Sequence, residues 1–271
     1  NISNISKSEI AKTKQLAHAE KLVTIGTITG SIGHEINNPN NALLLTLQFQ
    51  KQVWEELLPI FDSYAEEHGD FEVGGYLYSE LHDEMDDSFN RAIDKSNRIK
   101  KIVTNLRVFS RKDEGSYDEP VSLNDVVHNS LRLVGNLIKR KTNNLKLDLQ
   151  GSLPTIKGNA QKLEQVLINI LQNAAQALKS NEKSISISTL YRETEEKVQL
   201  IVADEGEGID KKDLDHIFDS FFTTKGKTEG TGLGLAICKR IVETHGGTIT
   251  VSSEIWSGTE VNIVLPVGGE K

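Results

Sequence analysis

A chain of 271 residues is long for one domain and sufficient for two, each able to bury a core of its own. Lys and Arg total 31 against 39 Asp and Glu, giving a formal charge of -8, and no basic block marks a nucleic-acid face, so nucleic acid is excluded as a direct partner. The single cysteine, Cys238, excludes an internal disulfide framework and a cysteine-based zinc site, and reads as a core residue.

No run of 18 apolar residues occurs, and residues 1–20 are polar and charged rather than a signal peptide, so this fragment is expected to be soluble with no membrane contact of its own. From residue 7 to about 58 the pattern is helical, with Leu22, Ile25, Thr29, Ile32 and Ile36 spaced three and four apart. Pro39 removes a backbone donor and is expected to interrupt or bend this helix just beyond His34. Phe89, Ala92, Ser96, Ile99, Val103, Leu106 and Ser110 alternate steps of three and four, which defines a second helix with a coiled-coil-like seam. Two such helices make a hairpin that leaves half its apolar stripe uncovered. Pairing with a second copy into a four-helix bundle removes that exposure and predicts a homodimer.

Between the helices, residues 58–85 contain Pro59, Gly69-Asp70 and Gly74-Gly75 as punctuation. Phe61, Tyr64, Phe71, Tyr76 and Tyr78, with Trp54 just before them, supply aromatic surface that a disordered linker would lack. An ordered extension at the bundle tip is expected, most simply a structural cap. Residues 111–120 are charged, contain Gly115 and end in Pro120, and read as a hinge, narrowed to 113–120. Beyond it, helical patterns at 124–139, 160–179 and 233–245 alternate with strand-like runs at 145–149, 184–190, 197–203, 248–253 and 260–265. The last two strands should pair as a hairpin, and helices against a mixed, largely antiparallel sheet make an α/β sandwich; the whole chain is α+β.

Four blocks carry chemistry. In Gly33-His34-Glu35-Ile36-Asn37-Asn38-Pro39, a histidine beside a carboxylate on a helix can attack phosphorus through its neutral ring nitrogen, with Glu35 able to orient the ring and stabilise its growing charge. The other six histidines read as surface or packing residues. Asn169 and Asn173 lie four apart and share one helical face, opposite the core positions Val166, Ile170 and Leu171. An amide oxygen there suits magnesium, which takes hard oxygen ligands and keeps several waters. Asp204 ends the apolar run Leu200-Ile201-Val202-Ala203, a position from which its carboxylate can accept from the exocyclic amine of adenine and reject guanine. Gly206 and Gly208 then let the chain turn tightly beneath the base. Gly230-Thr231-Gly232-Leu233-Gly234 precedes a helix and offers exposed N–H groups to phosphate. It has neither the P-loop ending nor the strand of a dinucleotide fingerprint.

These blocks, in this order from about residue 21 to 267, resemble the catalytic core of two-component sensor histidine kinases. The second half resembles the ATP-binding domain that these kinases share with Hsp90-type chaperones, type II topoisomerases and mismatch-repair ATPases. The resemblance implies that ATP and Mg2+ bind, that His34 accepts the phosphoryl group, and that Asn173 is the direct metal ligand with Asn169 supporting it. It implies a response-regulator receiver domain as partner, and residues 21–112 and 121–271 as the dimerisation and ATP-binding domains. Phe218, Phe221, Phe222, Thr223, Thr224 and Lys225 resemble the block that anchors a flexible lid, with Lys225 within reach of the terminal phosphates. Asn38, one turn beyond His34, is expected to orient water if the protein also dephosphorylates its regulator. Residues 1–20 would lead as a coiled coil toward a missing sensor, placing this piece in the cytoplasm whether or not its parent is membrane-anchored. The 76 positions between His34 and Ser110 exceed the compact hairpins usual in the family. Ser220 stands where proline is frequent, and Gln176 where a basic residue is frequent, which shifts charge neutralisation toward magnesium and Lys225. Two rival readings are an ATP-gated clamp, which His34-Glu35 and the hairpin oppose, and a degenerate kinase serving as a dimeric scaffold, which the intact motifs oppose.

Overall fold

The structure, a computed structural model, describes residues 2–110, 116–224 and 230–268, with side chains described for 33–104 in the first stretch. The chain divides into two compact units, Asn1–Lys112 and Asp113–Lys271.

The first unit is a helical hairpin of α1 (Ile2–His68) and α2 (Tyr78–Ser110), joined through the two-residue strands β1 (Glu72–Val73) and β2 (Tyr76–Leu77). Pro39 does not interrupt the helix, because α1 runs unbroken through both Pro39 and Pro59. An interior proline forfeits one hydrogen bond and crowds the preceding turn, about 3 kcal/mol. Here α2 packs along the same stretch and offsets that cost, because the layer immediately after Pro39 is tied to α2 through Asn40 and Ser96. The extension at 58–85 is therefore mostly two longer helices, and the connection proper is residues 69–77. Asp70 caps α2: Oδ1 accepts from Ser79 N at 3.1 Å and Oδ2 from Ser79 Oγ at 2.6 Å. Phe61, Tyr64, Phe71 and Tyr78 pack ring against ring beneath this turn. Tyr78 is buried and donates its hydroxyl to Asp62 Oδ1 at 2.6 Å.

In the second unit β3 (Glu119–Val121) pairs antiparallel with β5 (Ile156–Gly158). A five-stranded sheet has the order β4 (Asn144–Leu149), β6 (Ser184–Arg192), β7 (Lys197–Asp204), β9 (Gly258–Pro266), β8 (Thr248–Glu254). Only β4 and β6 run parallel. Ile185 and Ile187 on β6, Val198, Leu200 and Val202 on β7, and Val261, Ile263 and Leu265 on β9 alternate onto one buried face. Against it lie α3 (Leu123–Lys139), α4 (Ala160–Ala177) and α6 (Gly234–Thr244), whose buried stripes include Val127, Ile138, Leu167, Leu171, Ile237 and Val242. Ser122 and Asn159 cap α3 and α4 through Asp125 N and Lys162 N. This is the α/β sandwich that the alternating pattern predicts. The short pair β3 and β5, and the one-turn helix α5 (Lys211–Leu214), carry too little periodicity to be seen in advance.

The hinge reading is corrected at its far end. Pro120 and Glu119 are paired with Lys157 and Gly158, Ser116 O accepts from Asn159 Nδ2, and the Tyr117 ring lies edge-on to His245 at 4.9 Å, so residues 116–120 belong to the second unit. Residues 111–115 lie outside the described residues.

Candidate phosphoryl acceptor and nucleotide site

His34, Glu35 and Asn38 are all exposed on α1. Gly33 beside them is buried, and a Cβ there would touch Val103 Cγ1 at 3.5 Å, so α2 covers the back of the turn that presents the histidine. Among the described residues no hydrogen bond joins His34 to Glu35; adjacent helical positions do not face each other, which leaves the ring open. Asn37, which the motif reading passed over, has a buried Oδ1 with no hydrogen-bond partner among the described residues.

On α4, Asn169 and Asn173 are half-buried while Val166, Ile170 and Leu171 point into the core, as their spacing predicts. The Asn169 amide donates from Nδ2 to Cys238 Sγ at 3.8 Å, and the thiol in turn donates to Val166 O at 3.7 Å. Cys238 is wholly buried, which pushes its thiol up to about 12, so it works as a neutral acceptor and not as a nucleophile. This fixes the Asn169 oxygen away from α6. Sequence offered no signal for it, because a lone cysteine on an apolar stripe looks like packing. None of the described residues hydrogen-bonds to the Asn173 side chain, so its amide oxygen is available to a hard cation. Among the described residues no group of three His, Cys, Asp or Glu side chains could hold a metal ion. A single amide oxygen at Asn173 is a hard ligand of the kind that magnesium carried by nucleotide phosphates would accept.

Asp204 is the last residue of β7, and its Oδ1 accepts from Gly206 N at 2.8 Å. A Cβ on Gly206 would stand 2.6 Å from that same Oδ1 and 2.6 Å from Ala177 Cβ. Gly206 thus lets the loop close onto the end of α4, one turn past Asn173, while holding the carboxylate still; Glu207 N donates to Ala177 O at 3.1 Å to seal the approach. Gly208 turns with φ of 71°, and a Cβ there would also overlap the Glu254 carbonyl at the end of β8.

Gly230, Thr231 and Gly232 are half-buried, Leu233 is fully buried as an anchor, and Gly234 opens α6 with no atom within 4 Å of where its Cβ would be. The first N–H groups of α6 have no intrahelical acceptor and lie at the positive end of the helix dipole. Phe221 N donates to Gly232 O at 2.8 Å, with φ of 70° at Phe221 and 66° at Gly232. A Cβ on Gly232 would overlap the Phe221 backbone at 2.3 Å, so the aromatic block and the glycine block are locked together. Phe222 is half-buried against His216, Phe218 lies under Lys239 Nζ, and Thr224 is exposed. Lys225 lies outside the described residues. Gln176 is exposed on the last turn of α4. The second unit therefore gathers Asp204, the asparagine face of α4 and the start of α6, whereas His34 belongs to the other unit.

Residues 158–269 match the family of histidine kinase-, DNA gyrase B- and HSP90-like ATPases. The chain is 31% identical over 253 residues to the sensor histidine kinase ZraS of Escherichia coli K12, covering 93% of this chain and 48% of that protein. It is 32% identical over 254 residues to the signal transduction histidine-protein kinase AtoS of the same organism, covering 94% and 37%. In fold it is similar to the crystal structure of full-length ShkA in complex with AMPPNP, with a TM-score of 0.64 at 20% identity over 89% of this chain and 45% of that one. The chain spans less than half the length of these relatives. The similarity to these kinases covers both units, the helical hairpin and the α/β sandwich that follows it.

Proposed function

We propose that this chain is the catalytic core of an ATP-dependent protein histidine kinase that phosphorylates His34 and passes the phosphoryl group to an aspartate of a response-regulator receiver domain. The observation that carries the reading is the similarity to sensor histidine kinases over more than nine-tenths of this chain, combined with an exposed His34 in one unit and the Asp204, asparagine and glycine blocks gathered in the other. An imidazole nitrogen of His34 attacks the γ-phosphorus as the bond to the ADP oxygen breaks; Glu35 steadies the positive charge that the ring gains, and the ring proton is then lost to water. Positioning and charge stabilisation dominate such a transfer. Asp204 reads adenine, the start of α6 holds phosphate, and magnesium bound at Asn173 neutralises phosphate charge when present.

The described part of α1 exposes Leu45, Phe49, Val53, Leu57, Ile60 and Tyr64 at helical spacing, which supports a homodimer built on this stripe. The exposure of Asn38 supports a role in orienting water for regulator dephosphorylation. Among the described residues no helix is long and apolar enough to cross a membrane.

Incubation with γ-labelled ATP tests the reading. The wild type should acquire acid-labile, base-stable label, and His34→Gln should acquire none while binding nucleotide as before. Label at wild-type rate in His34→Gln would place the acceptor at another residue, and none in the wild type with magnesium present would overturn the kinase reading in favour of an ATP clamp or a scaffold.

A further inference from the structure

Among the described residues the buried polar side chains of the hairpin are Asn40 and Ser96, at 5% and 1% exposure. They satisfy each other. Asn40 Nδ2 donates to Ser96 O at 2.9 Å, and Ser96 Oγ lies 3.1 Å from Asn40 Oδ1 and 3.3 Å from Asn40 O, either of which can take its proton. Seven residues back along α1 and seven forward along α2, Gly33 meets Val103. The two contacts thus share one antiparallel register, two turns apart, and His34, Glu35 and Asn38 all lie between them. In the same register the next layer toward the tip is Leu47 and Phe89, both half-buried.

Apolar layers alone specify register poorly, since a slip of one heptad exchanges one apolar contact for another. The polar layer removes that freedom. After such a slip Asn40 would face Phe89 or Val103, and a buried amide with no partner is unfavourable. Neither residue touches the reacting atoms, and neither is part of the chemistry of the His34 block.

We propose that Asn40 and Ser96 are positioning residues for the His34 reaction: their reciprocal bonds fix the axial register of α2 on α1, and so fix which α2 surface accompanies the histidine when the nucleotide unit or a regulator approaches. The proposal rests on the reading of His34 as the phosphoryl acceptor. It makes the polar pair a selector of register.

The test uses the full chain with spin labels at Thr46→Cys and Asp94→Cys, two exposed positions on opposite helices, diluted with unlabelled protein. Cys238 is wholly buried and takes no label. Wild type and Ser96→Thr, which keeps the hydroxyl, should give one narrow distance. Asn40→Leu with Ser96→Ala should remain helical but gain a second distance population, arising from a slip of about 10 Å along the axis, one heptad at about 1.5 Å per residue. Its autophosphorylation kcat should fall about tenfold or more with KM for ATP unchanged, because misplacement by even a few ångströms is costly to transfer. A folded double variant that keeps the single narrow distance of the wild type overturns the proposal, whatever its kcat. If the wild type puts no phosphate on His34, the kinase reading fails while the distance measurement still decides the register.

Discussion

The two units bury their apolar residues in opposite ways. The α/β unit closes its core internally, with strands β6, β7 and β9 presenting one alternating face to α4 and α6. The hairpin leaves large apolar side chains uncovered along α1, Phe49 at 66% and Ile60 at 63% exposure among them. A unit that is complete can carry a rigid nucleotide site; one that is incomplete can have its arrangement set by what joins it. The difference also places the reacting groups. Asp204 and Asn169 are held by neighbours such as Gly206 N and Cys238 Sγ, whereas His34 stands open on a helix surface.

The sharpest way to break this comparison is to charge the uncovered stripe. Leu45→Glu with Phe49→Glu should convert a dimeric chain into a monomer and abolish any activity that needs the dimer, while nucleotide binding by the second unit stays unchanged. Sedimentation and nucleotide titration read the two properties separately. A double variant that stays dimeric would mean that the stripe is not the pairing face.

A smaller effect sharpens the other side. Asn173→Ala should lower magnesium-dependent ATP affinity about 10- to 100-fold, the equivalent of one charge-assisted contact of about 1.5–3 kcal/mol, and should leave the melting of both units alone. Asp204→Asn should instead erode the preference for ATP over GTP. Equal loss of both nucleotides in both variants would show that the two residues serve only to hold the loop.

Smaller again is Gly206→Ala. The added Cβ meets Ala177 Cβ and Asp204 Oδ1 at 2.6 Å each, so the loop must shift at a cost of about 1–3 kcal/mol. A calorimetric scan should show the lower melting temperature in the α/β unit alone. An unchanged scan would mean that α4 and the β7 loop are not locked as the contact implies.

Much of this contrast is legible in the sequence because it is carried by periodicity. Alternation marks β6, β7 and β9, and steps of three and four mark α2. The glycine and asparagine blocks carry the proposed nucleotide face. What escapes is whatever depends on contacts between distant residues. Pro39 reads as a break because local chemistry opposes helix there, and only the packing of α2 overrides it. Gly208 reads as a tight turn, and the Glu254 carbonyl that also excludes a side chain there lies 46 positions away. Ser96 reads as one more small seam residue until Asn40 is found bonded to it. The short strands β3 and β5 escape too, since three residues hold no pattern.

The least disruptive change concerns the hairpin tip, where the incomplete unit does close a core of its own. Tyr78 lies among the rings of Phe61 and Phe71, and burial, with help from its bond to Asp62, pushes its phenol up to about 12. A phenol whose folded value is raised above the usual value of about 10 contributes stability that is full below pH 10 and lost as pH rises toward 12. The tip should therefore loosen across that window before the sheet does, and one tyrosinate absorbance should appear only near its upper end. Tyr78→Phe removes that late signal and the hydroxyl bond, but Asp62 is exposed and regains water, so the change should cost only about 1 kcal/mol. Absorbance titration of the two proteins checks it. An identical late signal in Tyr78→Phe would assign the buried phenol elsewhere, and a much larger loss of stability would show that the tip, and not only the seam, holds the hairpin together.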